Sequence, residues 1–229
     1  MSFSEQLYNI VQARIKAGQH GYGSTPIYNL SLNEAGWLQA VADNFGFPPE
    51  WLANLVNFES GATFNPAIQN SIGATGLIQF MPATAKGLGT TTATLKQMSF
   101  KAQLVYVVKY LKQQLEAAAA PKGLYNKATG KVTDKFTQTD LFMLIFYPVS
   151  VGNPNYKFPA NVVAANNGIA TPTDYTNRVL IANSTPFKSI SPYIQYAADI
   201  AKKNKWPLAI VGIGLTGLMI SLIVYSAKS

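Results

Sequence analysis

Cysteine is absent from the 229 residues, and histidine occurs once. Without cysteine there is no disulfide framework, no thiolate metal site and no sulfur nucleophile. The lone His20 lies in the turn-like stretch GQHGYG, so a two-histidine zinc site cannot be assembled. A Ser-His-Asp arrangement would have to use this loop histidine, and no nucleophile elbow lies near it. Neither a metal nor a cofactor is expected. Acids are scarce as well: ten Asp and Glu stand against 18 Lys and Arg, for a net charge of +8. That excess suits an anionic partner. The lysines from Lys86 to Lys135 are scattered rather than clustered, however, and no nucleic-acid motif is present, so nucleic acid is not expected as a partner. No convincing strand alternation is found. The N-terminal stretch has no uninterrupted apolar core or small-residue cleavage site, so it is not a secretory signal.

What is present is helical periodicity, and the expected class is mainly α. Glu5 to Ala17 reads as a first amphipathic helix. SLNEAGWLQAVADNFG carries cap candidates at Ser31 and Asn33 and a terminating Gly46. Pro48 and Pro49 open a helix that Gly61 ends. A loop with a short helix after Pro82 follows. Residues 99–120 read as one long amphipathic helix with Leu104, Val107, Val108 and Leu111 inward. TDLFMLIFYP reads as a buried helix capped by Thr139 and stopped by Pro148, and TDYTNRVLIAN starts another.

In the Pro49 helix, Leu52, Leu55, Val56 and Glu59 fall at i, i+3, i+4 and i+7, on one face. Three of these positions are apolar and the fourth is an acid. Burial disfavours the ionised carboxylate, and so does the negative end of the helix dipole. A carboxylic acid still protonated near neutrality is what a general acid requires. A buried Glu bonded to backbone, or a helix with its acid turned outward, is the alternative. Glycoside cleavage usually takes two carboxylates, yet residues 60–115 contain none. One-acid cleavage works where the substrate brings its own nucleophile, as the free primary hydroxyl of a muramoyl sugar can.

The stretch ESGATFNP followed by SIGATGLIQFMPATA resembles the lytic transglycosylases of the soluble (Slt) type, which have a goose-lysozyme-like fold. The matching elements are Glu59 and Ser60, then Phe64 and Pro66, then Gly73, Ala74, Gly76, Leu77, Gln79, Met81 and Pro82. Weaker echoes lie in the helix after the motif, at Tyr147 in FYPVSVG, and in DYTNRVL. The likeness spans roughly residues 32–182. It implies that Glu59 is the catalytic acid and then the base, with Ser60 and Tyr147 positioning Glu59 and the sugar. It also implies that Gly73, Gly76, Leu77, Ile78 and Gln79 line the glycan groove. The family's Asn after the tyrosine is Pro148 here, a variant that reads like phage-encoded relatives.

The expected organisation is an N-terminal helix and arm (1–31), a lysozyme-like transglycosylase domain (32–185), a linker or amphipathic helix (186–205), and a transmembrane helix (206–226). The last, from Trp206 to Tyr225, carries no charge over about 20 residues, the length of a membrane span. Interfacial aromatics stand at both ends. Its Gly212, Gly214 and Gly217 form a G-x-G-x-x-G without any βαβ context, so the dinucleotide reading fails. Lys202, Lys203 and Lys205 before the span favour a cytoplasmic catalytic domain. The expected substrate is peptidoglycan, outside that membrane. The internal membrane of a phage virion reconciles the two, with the bacterial cytoplasmic membrane as the other location. The lipid membrane and capsid or spike proteins then join peptidoglycan strands as expected partners. The rival functions are a hydrolytic lysozyme using Asp140 or Asp174 as second carboxylate, and a non-catalytic glycan-binding virion protein.

Overall fold

The computed structural model describes residue 30, residues 32–182 and two short segments, 209–211 and 222–224. Its helices are α1 (Leu32–Phe45), α2 (Pro49–Glu59), α3 (Pro82–Gly87), α4 (Thr92–Lys96), α5 (Phe100–Gln114), α6 (Gln138–Phe146), α7 (Ala160–Ala165) and α8 (Pro172–Ala182). The fold is mainly helical, as expected. The expected N-terminal helix, Ser31 as a cap, and the linker at 186–205 lie outside the described residues.

Helix α2 is central and packs against α1, α6 and α8. Proline at its first position suits a helix start, where the missing N–H has no partner to lose. Leu52, Leu55 and Val56 are fully buried, so the stripe read from the sequence faces the core. At the other end, the Ser60 N–H donates to Val56 O at 2.9 Å and closes the last turn.

Three sequence expectations about the secondary structure are refined. The long helix ends its regular run at Gln114, continues as a wide turn from Leu115 to Ala119, and then tightens over Ala120–Lys122. Pro121, having no N–H, cannot prolong the ladder. Helix α6 is capped by Thr137 rather than Thr139. Thr137 and Asp140 close a reciprocal capping box, and an acid at the third helical position makes that cap the favoured one. The Thr139 hydroxyl instead pairs with that of Thr176 at 3.0 Å, tying α6 to α8. A short antiparallel pair that periodicity did not reveal also forms: β1 (Tyr125–Asn126) on β2 (Lys131–Val132). Two-residue strands are too short to show alternation. Lys131 reaches from β2 to the carbonyls of Asp43 and Asn44, placing a cation at the C-terminus of α1.

The expected transmembrane helix is not supported. No helix among the described residues is long and apolar enough to cross a membrane. The described part of 206–226 consists of two strands, β3 (Ala209–Val211) and β4 (Leu222–Val224), paired antiparallel with Ile210 opposite Ile223. The run is rich in β-branched Ile and Val, which suit a strand at least as well as a helix. Length and apolarity alone do not separate the two.

The loop between α2 and α3 is held by a side chain from α5. Gln103 is fully buried. Its Oε1 accepts from Leu77 N at 2.7 Å, and its Nε2 donates to Pro66 O at 2.8 Å and Leu95 O at 3.0 Å. Gly76 has φ +83°, and a Cβ placed there would lie 2.2 Å from Gln103 Oε1. Gly89 has a similar φ, +78°, with open space around it. Gly89→Ala should therefore cost only left-handed strain, about 1 kcal/mol. Gly76→Ala should cost at least ~2 kcal/mol more, because a buried three-bond amide is displaced. Urea unfolding midpoints of the two variants provide the comparison. Equal losses would mean that Gln103 does not clamp this loop.

Candidate functional site

Glu59 is the last residue of α2, where the apolar stripe ends. The residue is half-buried. The Tyr175 hydroxyl, from α8, donates to Glu59 Oε1. Burial pushes the Glu59 carboxyl up to about 7, and the Tyr175 hydrogen bond offsets part of that rise by favouring the ionised form. Burial and the neighbouring Glu59 charge push the Tyr175 phenol well above its ordinary value, so it remains a donor. The phenol is itself fixed by aromatic packing. Its ring stacks on Phe146 at 4.3 Å and takes the edges of Phe58 at 5.6 Å and Phe142 at 6.5 Å. A carboxyl poised near neutrality beside a fixed proton donor can give a proton and afterwards take one back.

The other residues expected at the site hold several different places in the fold. Ser60 is fully buried, and its Oγ accepts from Phe64 N at 2.9 Å, so it shapes the turn that leaves α2. Leu77 and Ile78 are buried in the core. Gly73, Gly76 and Gln79 all have positive φ, and the Gln79 amide folds back onto Gly76 O at 3.0 Å. Paired backbone from Thr75 to Phe80, and from Thr75 to Gln69, turns this loop into a small rigid platform. Tyr147 ends α6, half-buried, with its ring 5.1 Å from Phe158 and 5.8 Å from Tyr156. Burial and the Tyr156 hydroxyl raise its pKa. Pro148 opens a tight turn, Pro148–Ser150. Ser150 Oγ donates to Tyr147 O at 2.8 Å and steadies that turn.

Asp140 and Asp174, the acids that could act as a second carboxylate, are engaged elsewhere. Asp140 Oδ2 accepts from Thr137 N at 2.8 Å and Thr137 Oγ1 at 2.7 Å, and its Oδ1 accepts from Gly152 N at 2.6 Å. Asp174 Oδ2 accepts from Thr171 Oγ1 at 2.8 Å and Ala170 N at 3.3 Å. Each closes the N-terminus of its own helix. Among the described residues no group of three or more acids, histidines or cysteines could hold a metal.

Two residues of this arrangement carried no assigned role from the sequence. Tyr175 lies in the DYTNRVL echo, where its buried spacing with Val179 was legible but its partner, 116 positions away, was not. Gln103 offered a signal like that of Glu59: a polar residue on a buried stripe with Phe100, Leu104, Val107 and Leu111.

Residues 37–141 match the family described as the transglycosylase SLT domain, over a little under half of the chain. The match runs from α1 to α6 and contains Glu59 and the Gly73–Gln79 loop. The chain is also similar to a protein named "Transglycosylase" from Enterobacteria phage PRD1, with 43% identity over 54 residues. That similarity covers 24% of this chain and 20% of the phage protein, so the chain spans about a fifth of that relative's length. No solved structure matches. The resemblance to soluble-type lytic transglycosylases is thus shown.

The raised Glu59 value carries a stability consequence with a definite sign. In the unfolded chain this carboxyl loses its proton near 4.5, and in the folded chain near 7. Between those values the folded state binds the extra proton, so stability falls as pH rises through the window and levels off above 7. The full difference is on the order of 3 kcal/mol. Glu59→Gln, which has no proton to lose, should match the parent at pH 4 and exceed it by a margin growing to that order by pH 8. Chemical denaturation across pH measures it, and a margin independent of pH would contradict the buried-acid account.

Proposed function

We propose that this chain is a peptidoglycan lytic transglycosylase that cleaves the β-1,4 bond between N-acetylmuramic acid and N-acetylglucosamine. The observation that carries this reading is a single carboxyl held near pKa 7 at the end of a buried helix, while the rival acids cap helices. Residues 32–185 are the unit we assign to it, on a goose-lysozyme-like plan. Protonated Glu59 gives its proton to the glycosidic oxygen. The bond from that oxygen to the muramoyl C1 breaks, and the N-acetylglucosamine side leaves with a free hydroxyl. The muramoyl C6 hydroxyl then closes onto C1 and passes its proton to the Glu59 carboxylate. No water is consumed, the product ends in a 1,6-anhydro ring, and the acid is regenerated. Tyr175 steadies the carboxylate between the two transfers. Ser60 and Gln79 act as positioning residues, through the turn after α2 and the loop platform, and Tyr147 offers an aromatic face to sugar.

We place the enzyme in a phage particle, where it opens the wall as the phage enters its host. The resemblance to a phage protein named as a transglycosylase supports this placement. One experiment tests both readings. Purified chain, and particles of the phage that encodes it, are incubated with bacterial sacculi, and the released muropeptides are weighed by mass spectrometry. Anhydro-ended products are expected from both, and Glu59→Gln should lower their release at least ~10²-fold, as expected for loss of the general acid. Reducing ends would indicate hydrolysis and overturn the transglycosylase assignment. Release by the chain but not by particles would overturn only the particle placement.

A further inference from the structure

Phe146 and Tyr147 are consecutive at the end of α6 and meet different partners. Phe146 stacks on Tyr175, the donor to Glu59, at 4.3 Å. Tyr147 pairs with Tyr156, with 5.8 Å between ring centroids. Buried Phe158 touches all three, at 5.4 Å from Phe146, 5.1 Å from Tyr147 and 6.1 Å from Tyr156. One ring, Phe146, thus separates the tyrosine pair from the acid's own partner.

Unlike Phe158, both tyrosines are only half-buried. The Tyr156 hydroxyl helps to hold the proton on that of Tyr147. Neither hydroxyl has another hydrogen-bond partner among the described residues. Because Tyr147 keeps its proton in that contact, the O–H left over for a ligand is that of Tyr156. Pro148, next in the chain, has no N–H to offer, and Val149 after it is 62% exposed. The patch therefore combines aromatic and aliphatic surface with one hydroxyl pair. A pyranose ring has the matching composition, with C–H groups on its faces and acceptor oxygens on its rim.

The backbone of this patch is fixed in advance. Lys122 donates to Val149 O at 3.2 Å and also to Val151 O, while Gly152 N is held by Asp140. Thr173, in the first turn of α8, donates to Pro154 O from its N at 3.2 Å and from its Oγ1 at 2.9 Å. Phe158 N donates to Ala170 O at 2.9 Å. The segment carrying Tyr156 is thus pinned on both sides of that residue to the start of the helix that carries Tyr175. A face ordered before binding loses little entropy on binding.

We propose that Tyr156 is a sugar-binding residue, which extends the aromatic face of Tyr147 along the glycan strand and donates its hydroxyl hydrogen to an oxygen of the sugar seated there. It touches the strand and not the reacting atoms, so it contributes binding rather than proton transfer. The identity of the sugar as an N-acetylhexosamine rests on the peptidoglycan reading above, whereas the chemistry of the patch does not.

Two measurements test it. Calorimetry on Glu59→Gln protein, with an N-acetylglucosamine tetramer as probe, reads binding without cleavage. Tyr156→Phe keeps the ring and removes the hydroxyl, and should weaken binding about fivefold at an unchanged unfolding midpoint. Tyr156→Ala removes both and should weaken it about tenfold or more. Steady-state cleavage of glycan strands, with Glu59 intact, gives the second reading. Tyr156→Ala should raise KM about tenfold and leave kcat within about twofold, the pattern of an interaction made equally in the ground and transition states. Unchanged binding and KM in both variants, a fall in kcat at constant KM, or weakened binding that accompanies a lowered midpoint in Tyr156→Phe would overturn the assignment. Tetramer binding that depends on Tyr156 without any cleavage of strands would sink the transglycosylase reading and leave the sugar subsite standing. Neither binding nor cleavage would overturn both.

Discussion

The hydrogen bond from Tyr175 to Glu59 joins α8 to the end of α2 across 116 residues of sequence, and the chemistry of the site depends on the balance it strikes. Burial alone would hold the Glu59 proton too firmly for easy release. A full set of donors would return the carboxyl to its ordinary range, where no proton remains at neutral pH. One phenol in an otherwise apolar setting leaves the group near 7, where donation and recapture are both within reach. Phe58, Phe142 and Phe146 serve that balance by fixing the ring that supplies the bond.

Around this pair, polar side chains in the interior are committed to structure. Asp140 closes α6 and holds Gly152. Gln103 satisfies three backbone groups from separate loops, and Ser60 supports the backbone that follows Glu59. Each such bond prevents the loss that an unpaired buried group would cause. Together they leave Glu59 as the acid whose proton is free to move. The loop platform from Gly73 to Gln79 is likewise built from positive-φ positions and short backbone pairs, a geometry that brings backbone close to a bulky ligand without side chains in the way.

Much of this was legible before any coordinates. The buried face of α2 and the misplaced acid on it followed from 3.6-residue periodicity, because Leu52, Leu55, Val56 and Glu59 obey a local rule. The platform glycines were visible through their resemblance to a known pattern, and they lie within the matched residues 37–141. Long-range pairs were not legible, since nothing in DYTNRVL indicates that Tyr175 finds Glu59, or in the α5 stripe that Gln103 reaches Pro66 and Leu77. The choice of Thr137 over Thr139 as a cap turned on a reciprocal bond from Asp140, a competition that single-residue preference does not resolve. The C-terminal apolar run was read as a helix from length and hydrophobicity, two properties it shares with paired strands.

The central claim is that the environment of Glu59, rather than its identity, sets its proton affinity. Infrared titration of the Glu59 carboxyl, identified by its loss in Glu59→Gln, measures that affinity directly. A midpoint near 7 is expected, moving higher in Tyr175→Phe because the bond that favours the ionised form is gone. A midpoint near 4.5, the same in both proteins, would contradict the account.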